Sequence, residues 1–220
     1  WSDFFAHPLV RAAAPGIERF ERELASLLVR NRATLGGNAA NASPIADATS
    51  MLIALGAAVR LVQADGGGRT REIPLEKLFR GYKDLDLAKG EMIAAFAIPA
   101  RVPVRFNFEK VAKRARLDIA AVNSAAALVV EGDRIARARI SAGGVAPTPL
   151  LLARTSAFLE GRRADAATAR EASRIAVSEC SPIGDVRGSA EYRRVLLGRL
   201  VIAHFDRLFP GAGIAEEALA

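Results

Sequence analysis

Between Val104 and Pro210 the apolar residues change period once, and that change restricts the fold more than any other feature. "FNFEKVAKR" and "RIARARISAGGVA" alternate as strands do, and "EGDR" at Glu131 to Arg134 reads as the turn before the second. In "RIARARIS", Ile135, Ala136 or Ala138, and Ile140 face a core while the arginines face water. "IAAVNSAAALVVEG" reads as a strand or as a helix-like apolar segment between strands. From Leu150 to Leu159 and from Asp165 to Glu179 the period becomes helical, and "SAEYRRVLLGRLVIAHFDRLF" is one long amphipathic helix. Sheet first and helices after predicts an α+β unit, with a frayed tail beyond Pro210.

The first hundred residues read differently. "GIERFERELASLLVRN" sets Ile17, Phe20, Leu24, Leu27 and Leu28 at helical spacing, predicting a helix over 16–31. A short helix ending near Gly56, a strand over Ala57 to Gln63, a turn at Asp65 to Gly68 and a returning strand over Thr70 to Ile73 follow. A further edge strand is expected at Met92 to Ile98, closed by Pro99. "ARVPVR" breaks regular structure at Pro103 and marks a boundary, giving units of 1–103 and 104–212 with a tail over 213–220.

Composition removes several function classes. An apolar content of 51% and a charged content of 25% suit a packed globular chain, and no apolar run approaches the roughly 20 residues of a bilayer span. The single Cys180 rules out an internal disulfide or a multi-cysteine cluster, which fits a cytoplasmic setting. His7 and His204 alone are too few for a zinc site or a serine hydrolase. The net charge of +7 is spread through helical segments without interleaved aromatics, favouring a solvated or acidic-partner-facing surface over nucleic-acid binding.

Between the first helix and the second lies "TLGGNAANASPIAD", residues 34–47. Gly36 and Gly37 let a ligand approach the backbone or permit dihedrals closed to other residues, and successive free amides hold anionic oxygens. Asn38 and Asn41 add amides, Thr34 and Ser43 hydroxyls, and Asp47 a carboxylate suited to sugar hydroxyls. The pattern is neither the dinucleotide glycine fingerprint nor the nucleoside triphosphate loop. On spacing alone it fits a tight structural turn as well as a phosphate and polyol cradle. "SPIAD" recurs as "SPIGD" at Ser181 to Asp185, where a helix cap by the aspartate suffices.

"RNRATLGGNAANASPIAD" resembles the flavin-binding loop of the molybdenum hydroxylase (xanthine dehydrogenase) family, R-N-x-A-T-x-G-G-N-I-A-N-x-S-P-x-x-D. "PLEKLFRGYKDLDLAKGEMIAAFAIP", "FEKVAKRARLDIAAVNSAAALVV", Ile140 to Ala153 and "SPIGDVRGSAEYRRVLLGRL" are similar to later segments of that family in the same order. The last two most resemble the small flavin and iron-sulfur subunit of bacterial xanthine dehydrogenases. Two departures stand out: Leu28 where the family often has Gln, and Ala39 where it often has Ile.

The resemblance implies a fold: the second lobe of a two-lobed FAD-binding domain, then a C-terminal α+β domain with a three-stranded antiparallel sheet and helices. It also implies that an iron-sulfur domain and the first FAD lobe precede Trp1. Electrons from a purine oxidised at a molybdenum cofactor would pass through iron-sulfur clusters to FAD and then as hydride to NAD. The partners implied are a molybdenum-cofactor subunit and an iron-sulfur domain within a hetero-oligomer. By motif position Thr34, Gly36, Gly37 and Asn38 meet the cofactor's diphosphate and ribityl region, with Ser43 and Asp47 also in contact. Ile93 falls against the isoalloxazine ring, Lys110 near the flavin where a cation favours the reduced form, and Asp118 in an acidic segment beside it. An exposed strand lysine and a helix cap are the alternative readings of Lys110 and Asp118. A medium subunit of a carbon monoxide or aromatic-substrate dehydrogenase shares every loop residue, and a flavin-free assembly module is the third reading.

Overall fold

A computed structural model describes residues 1–64, 68–99 and 104–220. The expected turn at Asp65 to Gly68 lies, except for Gly68, outside the described residues, as does the boundary at Pro103.

The chain opens with two short helices, α1 (Ser2–Ala6) and α2 (Pro8–Ala13), and a 3₁₀ helix over Ile17–Glu23. The next helix, α3, is a single turn, Leu27–Arg30. The continuous helix expected over 16–31 is therefore broken. Ala25 adopts a left-handed φ of 49°, and the buried Arg30 guanidinium turns back to donate to the carbonyls of Leu24 and Ala25 at 2.9 and 2.7 Å. Ile17, Phe20 and Leu24 reach the core, whereas Leu27 and Leu28 are exposed. Then come α4 (Leu35–Ala40) and α5 (Asp47–Ala54), the latter stopped at Gly56 with φ of 71°.

Strands β1 (Ala58–Gln63) and β2 (Thr70–Pro74) pair antiparallel with Val59 opposite Ile73. A small hairpin, β3 (Phe79–Gly81) and β4 (Asp84–Leu85), follows, and β5 (Glu91–Ala97) returns to the other edge of β1, giving the order β2-β1-β5.

The second sheet contains β6 (Arg105–Val111), β7 (Val122–Glu131), β8 (Arg134–Gly143) and a two-residue edge, β9 (Leu150–Leu151), all antiparallel in that order. Three long strands match expectation; the fourth takes residues read as the start of a helix. On one face lie α6 (Ala153–Leu159), α7 (Ala166–Glu179), α8 (Ala190–Leu208) and α9 (Ile214–Leu219). The final segment is thus packed and not frayed, because Ile214 and Ala218 are buried with α7 and α8. Of the arginines in "RIARARIS", Arg139 turns inward to donate to the Ile53 carbonyl and pair with Glu76.

The other face of this sheet packs on the first hundred residues. Phe106, Phe108, Ala125 and Ala127 join Phe5, Phe20, Leu24 and Met51 in one cluster, with Phe20 edge-on to both phenylalanines. Strand β7 is therefore covered on both sides, which explains an apolar run too continuous to read as an alternating strand. Seven of the eight residues of α5 are buried, Met51 toward this cluster and Leu52 and Ile53 toward the core under β1. Each such side chain contributes roughly 1.5–3 kcal/mol. The segment entering α5 is consequently anchored between the two sheets.

Candidate functional site

Thr34 caps α4 by accepting the Gly37 amide on Oγ1 at 2.9 Å, while its carbonyl receives the Asn38 amide. Gly36 and Gly37 do not occupy the left-handed dihedrals that the sequence left open to them. Their value is the missing side chain. A Cβ on Gly37 would meet Thr34 Oγ1 at 3.0 Å, and one on Gly36 would lie 3.6 Å from Ile93 Cγ2. Ile93 on β5 therefore packs beside the glycine pair. The first-turn amides of Leu35 and Gly36 have no acceptor within the helix itself.

Asn38 Oδ1 accepts the Thr49 hydroxyl at 3.1 Å, tying α4 to α5. Ser43 accepts the Ile45 amide at 3.4 Å, and the Pro44 carbonyl accepts that of Gly144 at 2.8 Å. Asp47 is the first residue of α5, but its carboxylate serves no helix amide. Lys110 Nζ donates to Oδ2 at 2.7 Å and Asn123 Nδ2 to Oδ1 at 2.6 Å. Lys110 also donates to the Glu23 carbonyl at 2.9 Å and is no exposed strand lysine: its side chain is 8% accessible. Burial raises the Asp47 carboxyl above its ordinary value, against the pull of Lys110 and Asn123. Burial and the neighbouring Glu109 likewise raise Glu23.

Asp47 and Lys110 border one cleft of about 460 Å³, within the size range of small-molecule sites. Five expected site residues line it: Asn38, Ser43, Asp47, Lys110 and Asp118. Thr34, Gly36, Gly37 and Ile93 do not; they form the adjoining helix start and its strand neighbour. Asp118 caps no helix. It closes the loop before β7 by accepting the amides of Arg114 and Ile119 and pairing with the Arg114 guanidinium. Burial raises its pKa, but the Arg114 amide and guanidinium outweigh that and hold it below its ordinary value.

Trp1 also lines the cleft, and its buried indole N–H has no partner among the described residues. An unpaired buried donor, with Asn38, a carboxylate and an ammonium on the same cleft and a helix turn bearing a glycine pair adjoining, fits a large polar cofactor carrying aromatic and anionic parts.

A second cleft of about 440 Å³ shares Ser43, Ile45 and Ile119 with the first. Its far wall holds Tyr82 of the β3–β4 hairpin, Arg187 and the buried Arg193. Arg193 donates to the carbonyls of Ala121 and Gly144 at 2.6 and 3.0 Å and pairs with Asp185 at 2.6 Å. Asp185 thus binds a cation instead of capping a helix; Ser189 caps α8. Asn123, Tyr82 and Arg193 escaped the sequence reading. For Asn123 a signal existed, a carboxamide inside an apolar strand run.

The FAD binding domain in molybdopterin dehydrogenase matches residues 1–101, and the CO dehydrogenase flavoprotein C-terminal domain matches residues 108–208. The carbon monoxide dehydrogenase medium chain of Afipia carboxidovorans is 32% identical over 94% of this chain and 69% of its own. The chain belongs to the FAD-binding family of the molybdopterin dehydrogenases. A xanthine dehydrogenase of Blastobotrys adeninivorans is 32% identical over 86% of this chain, which spans only 14% of that much longer protein. The solved carbon monoxide dehydrogenase of Hydrogenophaga pseudoflava superposes with a TM-score of 0.84 at 28% identity, covering 91% of this chain and 69% of that one. FAD is the cofactor of this family, whose enzymes carry iron-sulfur clusters and a molybdenum cofactor on other subunits. No helix among the described residues is long and apolar enough to cross a membrane.

Proposed function

We propose that this chain holds FAD in the cleft between α4, α5 and the loop before β7, and that it serves the last leg of electron transfer in a molybdenum hydroxylase. The convergence of Asn38, Ser43, Asp47, Lys110 and Asp118 on one cleft carries the reading. FAD held by these residues would supply the redox chemistry linking iron-sulfur clusters to a hydride acceptor, which we take to be NAD.

The chain's own residues position and tune. The first-turn amides of α4 offer donors to a diphosphate, and Asn38 and Ser43 offer polar contacts to the linking polyol. Trp1 offers its indole N–H, and Ile93 an apolar surface beside Gly36. Lys110 places an ammonium at the cleft, but Asp47 already neutralises much of it. Its pull on a developing negative charge is that of an ion pair and weaker than that of a lone cation. The second cleft, with Tyr82, Arg187 and Arg193 around shared Ser43, suits an aromatic, anionic acceptor such as NAD next to the first.

Xanthine dehydrogenase is the substrate reading favoured by the motif order. A carbon monoxide dehydrogenase medium subunit is the second reading, since the chain is as similar to the Afipia carboxidovorans medium chain as to the Blastobotrys adeninivorans xanthine dehydrogenase, 32% identical to each. In either arrangement the oxidised substrate is bound outside this chain.

The test uses the intact holoenzyme. Asp47→Ala is expected to lose FAD on dialysis, with flavin absorbance falling relative to iron. Full flavin content would refute the site. NADH is expected to bleach the bound flavin, and an unbleached flavin would refute NAD as acceptor.

A further inference from the structure

Asn123 stands on β7 directly opposite Lys110 on β6, so the two side chains rise from one cross-strand pair. Each takes one oxygen of Asp47, Lys110 holding Oδ2 and Asn123 holding Oδ1. The Asn123 carboxamide is fully committed. Nδ2 also donates to the Ile45 carbonyl at 3.2 Å, and Oδ1 accepts the Ser50 hydroxyl at 2.8 Å, which fixes which end of the amide faces the carboxylate. The bare backbone of Gly143 makes the room it occupies: a Cβ there would stand 2.6 Å from its Oδ1. Ile45 and Asp47 flank the turn into α5, so one side chain from the second sheet holds both the carbonyl and the carboxylate of a segment in the first hundred residues.

We infer that Asn123 is a positioning residue of the flavin site: with Lys110 it fixes the rotamer in which Asp47 presents its remaining lone pairs to the cleft. This rests on the flavin reading above. Asn123 does not line the cleft and acts through Asp47. A carboxylate held only by Lys110 would rotate about its own bond, and one held at both oxygens cannot.

The test is Asn123→Asp in the holoenzyme. It keeps the shape but sets an acceptor where a donor stood, against Asp47. Two carboxylates so close share one proton. The other charged groups facing Asp47 are Lys110 from β6, Glu23 from the 3₁₀ helix and Asp118 across the cleft, and all are unchanged. Flavin retention on gel filtration is expected to be flat with pH in the wild type. In the variant it should fall as pH rises from about 5 to 8, as the shared proton leaves. A flat profile in the variant overturns the inference.

Should that variant not fold, Asn123→Ser carries the test. It should weaken FAD binding about ten- to hundredfold, the range for one hydrogen bond to a charged group. Unchanged affinity, or a lowered melting temperature of the flavin-free protein without any change in affinity, overturns the inference. Asp47→Ala separates the two claims: if it too retains flavin, the site reading fails; if it alone loses flavin, only the role of Asn123 fails.

Discussion

The sequence carries Ser-Pro-Ile-x-Asp twice, and the two copies end in opposite electrostatic settings. Asp47 closes the first, its side chain 14% accessible, between Lys110 and Asn123. Asp185 closes the second, 38% accessible, between Arg187 and Arg193. Neither caps a helix; each receives a cation delivered by another element. At Asp47 burial prevails and the carboxyl sits above its ordinary value. At Asp185 burial pushes up as well, but the Arg187 amide and the Arg193 guanidinium prevail and hold it below. The motif shapes the backbone at both places, and what surrounds the aspartate decides its chemistry.

Removing the cations measures this difference. Lys110→Met leaves a buried carboxylate without its ion partner and should cost about 3–5 kcal/mol in denaturant unfolding of the flavin-free protein. Arg193→Leu comes next. It strips the carbonyls of Ala121 and Gly144 of a donor, but Asp185 still reaches water, so about 2–3 kcal/mol is expected. A larger loss at Arg193 than at Lys110 would reverse the comparison.

Parts of this were legible in sequence. Alternation located β6 and β8, and Asn38, Ser43 and Asp47 of the singled-out loop do line one cleft. What failed to show was long-range. The break in the 16–31 segment depends on Arg30 turning back onto two carbonyls, and the Ile17–Phe20 spacing suits a 3₁₀ helix as well as an α-helix. The hairpin bearing Tyr82 has strands of three and two residues, too short for any period. The tail became α9 through contacts with helices that precede it by several turns. The destination of the Asp47 carboxylate was hidden for the same reason: its partners lie 63 and 76 residues away.

The pH dependence should differ in sign between the copies. Folding tightens the proton on Asp47, so the stability it lends is complete below the ordinary 3.8 and is lost as pH rises through its raised value. Folding loosens the proton on Asp185, so its contribution is present above 3.8 and is lost as pH falls through its lowered value. Urea midpoints of Asp47→Asn should therefore gain on the wild type as pH rises above the ordinary 3.8, while the deficit of Asp185→Asn should shrink as pH falls below it. Parallel curves would mean that the two settings are alike.

Arg187→Ala should have the smallest effect. Its guanidinium pairs with Asp185 at 3.0 Å with both side chains more than a third exposed, so water and salt screen the pair. Asp185 keeps the Arg187 backbone amide at 2.8 Å and the Arg193 guanidinium at 2.6 Å, neither of which the substitution removes. A loss below about 1 kcal/mol is expected, and added salt should shrink it further. The same change strips a cation from the wall of the second cleft, so NADH bleaching of the holoenzyme flavin should need more NADH while stability barely moves. A stability loss matching that of Lys110→Met would show that exposure does not separate the two aspartates.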